Sequence, residues 1–217
     1  VTIPVTETPE VAKQTAVDKV AHIPKVVAVG GAGPKPVWSA HCAWSEAEVE
    51  ESWMIAVQKA KAAFEKFSSK IQEKDLAVVV NYDTLVYDPN TEAIHGDRMR
   101  VYDVSQGWSL VRREWVSHAY ESGPNCLQRF SNVPNSLTSS RGAFITHKRP
   151  HHSPSFGYPA LKVHGLESGI NDRALSRSII FHKSISGGMT IDYSHGCFMT
   201  RPKVNKTLLP QIAGGRF

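Results

Sequence analysis

Apolar residues along the chain fall into two periods. Val49, Trp53, Ala56, Val57, Ala60, Phe64 and Phe67 recur at steps of three and four, with Glu50, Glu51, Lys59, Lys61 and Lys66 largely off that stripe. This spacing predicts an amphipathic helix over 44–69 that lays one face on a core. Ser45 followed by Glu48 has capping-box spacing, in which hydroxyl and carboxylate each satisfy an amide left open at a helix start. From Leu76 the pattern shortens. Ala77–Tyr82, Arg98–Val104 and Trp108–Val116 are β-prone runs, and Asp88-Pro89-Asn90 and Ser105-Gln106-Gly107 are turn-forming. They predict an antiparallel meander. Gly142–Thr146, Ala160–His164 and Ser178–His182 read as further strands, with a short helix over Asp172 to Ser176. Residues 72–217 thus form a mainly β domain with a few helices. No internal repeat of fixed period is visible.

Residues 1–40 lack either period. They are rich in Val, Pro, Thr, Lys and Gly, and read as a flexible lead-in. Gly30-Gly31-Ala32-Gly33 precedes Pro34 and Pro36 rather than a helix start, so it is a linker and not a dinucleotide fingerprint.

Composition narrows the partners. The 217 residues suffice for one substantial core. A net charge of +5 favours an anionic partner such as wall polymer, membrane surface or nucleic acid. No run of five Lys or Arg and no aromatic-basic module is present, which sets nucleic acid aside. No stretch approaches the roughly 18–20 apolar residues that span a bilayer. A start at Val1 without a basic and then apolar leader reads as a processed or truncated chain. Of the three cysteines, Cys42 and Cys126 are the natural disulfide pair in an oxidising compartment, with three free thiols as the alternative.

Cys197 is the candidate for chemistry. It closes Ser194-His195-Gly196-Cys197, where Gly196 permits close backbone approach or a conformation closed to other residues. Backbone amides around Gly196 and Cys197 can stabilise an oxyanion. Fifteen residues earlier His182 ends the apolar run from Ser178, so a strand would deliver an imidazole suited to proton exchange near neutrality. A lone cysteine is also often a small buried hydrophobe and a histidine at a strand end a structural group, so the residues alone leave both readings open.

Other polar groups are less specific. His147, His151 and His152 share six residues with Lys148 and Arg149, and zinc with His118 or His164 is conceivable. Pro150 and Ser153-Pro154-Ser155 instead put these imidazoles on a solvated loop, with none of the fixed spacings zinc prefers, so no metal site is expected. Such a loop would serve as a lid or wall-binding rim. His118 and Arg141 flank strands and are cleft candidates, and Asp192 or Glu167 could orient His182 as a carboxylate does in a triad.

Three stretches carry a family resemblance. Trp115–Gly123, the segment from Phe130-Ser131-Asn132 to Ser139-Ser140-Arg141-Gly142-Ala143-Phe144, and His164-Gly165-Leu166-Glu167-Ser168-Gly169-Ile170-Asn171-Asp172-Arg173-Ala174 join the Cys197 motif in an ordered series. The series resembles the murein L,D-transpeptidase catalytic domain family, of the YkuD type. The resemblance implies a β-sandwich or barrel-like catalytic fold in which Cys197 is the acyl-forming nucleophile, His182 its base, and Ser194, His195 and Gly196 shape the site. It further implies peptidoglycan tetrapeptide stems as substrate, no cofactor, a carbapenem as covalent inhibitor, and a periplasmic or envelope location. His118, Lys183 and Arg201 are candidate substrate contacts. Two features depart from the common motif: only eleven residues separate His182 from Ser194, and Met199 stands where many members carry Arg or Asn. The thioester can pass to an amine, giving crosslinking or D-amino acid exchange, or to water, giving carboxypeptidase or endopeptidase action. A non-catalytic wall-binding module and a zinc hydrolase built on the His147 loop are the other classes.

Overall fold

The computed structural model describes residues 45–81, 86–88, 93–95, 98–116, 130–136, 138–184 and 196–217. The expected lead-in over 1–40, Cys42, Cys126, His118, Asp192, Ser194 and His195 lie outside them.

Helix α1 (Glu46–Lys66) begins at the expected capping box, with the Ser45 amide donating to the Glu48 carboxylate at 2.8 Å and the Glu48 amide to Ser45 Oγ at 3.3 Å. Its apolar stripe puts Val49 and Trp53 into a small core with Val79 and Tyr102. Arg100 stacks on the Trp53 ring at 4.2 Å and pairs with Glu50 at 2.8 Å, so its buried charge keeps an anionic partner.

Strands β1 (Leu76–Val80), β4 (Met99–Asp103) and β5 (Ser109–Glu114) form one antiparallel sheet, in the order β1-β4-β5. β2 (Val86–Asp88) and β3 (Ala93–His95) pair as a separate ribbon. Apolar side chains point from both faces of β1. Ala77 and Val79 are buried, Val79 towards α1, while Leu76, Val78 and Val80 pack on the main core. That sandwiching explains the unbroken apolar run in the sequence.

The second sheet runs β10-β9-β8-β6, with β7 paired to β8. It comprises β6 (Phe144–Thr146), β7 (His151–Ser153), β8 (Gly157–Gly165), β9 (Ile180–Lys183) and β10 (Phe198–Thr200). Only β9 and β10 pair in parallel. The sheets meet at both edges. Val116 bridges Thr200 of β10, and at the other side the Val78 amide bonds Phe217 O at 2.9 Å while the Thr146 amide bonds Arg216 O at 2.8 Å. Residues 216–217 thus link β1 to β6, and the circuit becomes barrel-like. Arg216 is pinned there by two bonds to Asp75, of 2.7 and 3.0 Å. Helix α2 (Pro202–Ile212) starts with proline, where the missing amide costs nothing, and buries Leu208, Leu209 and Ile212 completely. Each of those burials contributes about 1.5–3 kcal/mol.

Two expectations change. The region 172–176 is a chain of turns rather than a helix, because its backbone closures alternate, Ala174 to Asn171 O, Arg177 to Arg173 O and Ser178 to Leu175 O, and never make a continuous ladder of four-residue bonds. His151 and His152 lie on β7 rather than on a solvated loop, since pairing of His151 with Ala160 satisfies the backbone that Pro150 left unassigned. β10 and α2 carry no expectation from the sequence: the three residues of β10 are too few for a period, and α2 carries prolines at Pro202 and Pro210.

Candidate active site

The segment entering β9 builds one wall of the site. Ser178 donates its amide to Leu175 O and Ile179 to Ala174 O, the paired bonds of a Schellman turn, with Ser178 at φ 57° where glycine is usual. A left-handed conformation costs an L-residue roughly 1–2 kcal/mol. The Ser178 carbonyl accepts from the Cys197 thiol at 3.5 Å. The Ile180 amide also donates to that sulfur.

Register brings the histidine to the same place. In the parallel β9–β10 pair Phe198 faces Phe181 and Met199 faces His182, so Cys197 lies alongside Ile180 just before β10 begins. His182 is two residues further along β9, or roughly 6–7 Å of strand. It is only 2% exposed, and the Phe156 ring from the β7–β8 turn stacks on it at 3.7 Å. Nδ1 lies 2.8 Å from the carbonyl of Lys183. A carbonyl only accepts, so Nδ1 carries the proton and Nε2 keeps its lone pair.

Burial sets the resting charges. It lowers the His182 pKa below its ordinary value, against the Lys183 hydrogen bond, so the ring is neutral near pH 7. Burial raises the Cys197 pKa, opposed by the Ile180 amide and by the positive charge of Arg177. The resting pair is therefore thiol and neutral imidazole.

Gly196 has φ +108°, and a Cβ there would lie 2.5 Å from Thr138 O and 2.9 Å from Ile179 Cδ1. Of the two roles expected for this glycine, the described geometry exhibits the conformation closed to other residues, and the backbone it approaches closely is that of Thr138. Ser139 Oγ donates to the Gly196 carbonyl at 3.1 Å, so the stretch around Ser139 buttresses the Gly196–Cys197 turn.

The other candidates are scattered. Glu167 accepts from the Ala143 amide at 2.7 Å, so it is committed to the β6 entry and the Lys183 carbonyl orients His182 instead. Lys183 Nζ runs past Gly157 at the start of β8. Arg201 is exposed at the start of α2, with all of β10 between it and Cys197. Arg141 is exposed, its carbonyl bonded by Asn171, and it lines a cavity of about 550 Å³ beneath α1 with Phe181 and Phe198, on the sheet face opposite His182. His147 and His164 stack with ring planes 12° apart, and among the described residues no three metal-ligating side chains converge.

A family model described as the L,D-transpeptidase catalytic domain matches residues 50–217. The chain belongs to this L,D-transpeptidase family. No curated protein and no solved structure matches it. The match runs from within α1 to Phe217, and so takes in most of the helix and both sheets. Among the described residues no helix is long and apolar enough to cross a membrane.

Sequence reading missed three groups around Cys197 and His182. Phe156 sits in a turn with no periodic partner. The Lys183 carbonyl is backbone and has no signature. Arg177 is one of 25 basic residues, and nothing local marks it.

Proposed function

We propose that the protein is a peptidoglycan L,D-transpeptidase that works through a Cys197 thioester with His182 as general base. The observation that carries this reading is the His182 tautomer. Its Nδ1 proton is given to Lys183 O, leaving a neutral Nε2 on the strand that runs in register beside the nucleophile turn.

In the first half-reaction Nε2 takes the thiol proton as sulfur attacks the carbonyl between the diamino acid L-centre and D-Ala. The tetrahedral oxyanion is met by backbone amides at the Gly196–Cys197 turn. Collapse breaks the C–N bond, and the His182 imidazolium returns its proton to the departing D-Ala amine. In the second half, an acceptor amine loses a proton to His182 as it attacks the thioester, and the thiol is restored. Water in place of the amine gives the hydrolytic outcome. A basic chain and an anionic wall polymer suit each other, and the envelope or periplasm is the matching location.

Incubation with disaccharide-tetrapeptide and crosslinked dimer, read by mass spectrometry, tests the reading. New dimer is expected for crosslinking, whereas new tripeptide or loss of dimer assigns hydrolysis. Cys197→Ala should abolish all three, and retained turnover would overturn the assignment. A carbapenem should add its mass at Cys197; no adduct and no turnover together leave a wall-binding module.

A further inference from the structure

Arg177 is the last residue before the strained Ser178, and its guanidinium reaches the 130–140 segment, remote in sequence. Nη1 donates to Ser131 O and, at 2.9 Å, to Ser140 Oγ. Nη2 donates to Ser136 Oγ at 3.0 Å and to Thr138 O at 2.6 Å. That segment has no helix or strand of its own among the described residues, and the four Arg177 bonds act there with Ser131 N to Ser139 O, Ser140 Oγ to Ser131 O and the Asn132 bonds to Asp172 and Arg173.

Two of its groups then touch the nucleophile turn. Thr138 O, held by Arg177, is the atom that a Cβ on Gly196 would strike, and Ser139 Oγ holds the Gly196 carbonyl. The residue after Arg177 presents its carbonyl to Cys197 Sγ. Arg177 therefore adjoins the turn twice, through the segment its side chain holds and through the backbone that follows it.

We propose that Arg177 is a positioning residue of the acyl-transfer site, tying the 130–140 segment against the Gly196–Cys197 turn so that the sulfur is held for attack before substrate binds. The inference rests on Cys197 being the nucleophile. Geometry and charge act in the same direction, because the guanidinium favours a thiolate that burial opposes. Lysine keeps the charge but not the planar fork that meets four acceptors.

The test is the pH dependence of Cys197 alkylation by iodoacetamide, followed at peptide level by mass spectrometry, alongside kcat, KM and Tm. Arg177→Gln should slow alkylation at pH 7 about tenfold and move its midpoint to higher pH, since a favourable charge is gone. Arg177→Lys should keep the midpoint near that of the parent yet lower kcat about tenfold to a hundredfold with KM little changed, as expected when only positioning is lost. Ser139→Ala should lower kcat several-fold, about half the logarithmic loss of Arg177→Lys. Exposed Arg173→Gln should leave every reading unchanged. Folded Arg177 variants with parental alkylation profile and kcat would overturn the proposal. If they do not fold, Ser139→Ala decides, and an unchanged kcat there overturns it. Alkylation needs no peptidoglycan, so failure of the transpeptidase reading and failure of this one are told apart.

Discussion

The α1–β1–β4 region and the Cys197 region are held together by different physics. In the first, Val49, Trp53, Val79 and Tyr102 close on one another through apolar burial, with one buried arginine paired to Glu50. In the second, Gly196–Cys197 is surrounded by polar bonds from segments 57 and 19 residues away, and two of its residues hold left-handed backbone, Ser178 at φ 57° and Gly196 at φ 108°. Burial tolerates approximate shape, whereas a hydrogen-bonded turn at fixed φ does not. Changes in the first region should therefore act on stability, and changes in the second on reactivity.

The strongest challenge to that contrast is Trp53→Ala. Loss of a fully buried indole should cost about 3–5 kcal/mol in urea unfolding. Alkylation of Cys197 per folded molecule should stay at the parental rate; a large fall would mean the two regions are coupled. Gly196→Ala is the converse. The new methyl meets Thr138 O, so kcat should drop about a hundredfold as the sulfur is displaced. Parental kcat in that variant would show that the turn has slack.

Acid should affect both properties through the histidines. Burial lowers the pKa of His151, His164 and His182 below the ordinary 6.5, the first two with help from nearby positive groups. For a lowered histidine the unfolded chain binds the proton first, so stability is full above pH 6.5 and declines as pH falls towards the folded values. The urea midpoint should be lower at pH 5 than at pH 7.5. The acid limb of kcat/KM, set by His182, should have its midpoint below 6.5; a midpoint above it would contradict a desolvated base.

The smallest effect is expected from Ser178→Gly. Glycine relieves the left-handed strain but loses unfolded-state restriction, a net gain of about 0.5–1 kcal/mol in thermal or urea unfolding. Slower alkylation in this more stable variant would show that the strained serine aims its carbonyl at Cys197.

Legibility in the sequence followed the same division. The helix was legible because seven apolar residues share one face and Ser45 with Glu48 marks its start. The strands over 76–80, 99–103 and 109–114 were legible from β-branched runs and turns. The supposed helix at 172–176 was not, since its backbone closes in mixed three- and four-residue turns that no side-chain pattern announces. His151 and His152 were assigned to a loop because Pro150 outweighed a pairing partner that sequence does not reveal.

By itself the sequence determined the mainly β domain, its capped helix, the pairing of Cys197 with a strand-borne His182 as candidates, and the family. Those depend on local period, local turn chemistry or ordered motifs. Tertiary structure alone decided that Lys183 O fixes the His182 tautomer, that Phe156 and the surrounding core keep that ring neutral, and that Arg177 reaches across to Thr138 behind Gly196. Each is a contact with a backbone carbonyl or an unmarked side chain, and its partner is chosen by how the sheets close rather than by what stands beside it in the chain.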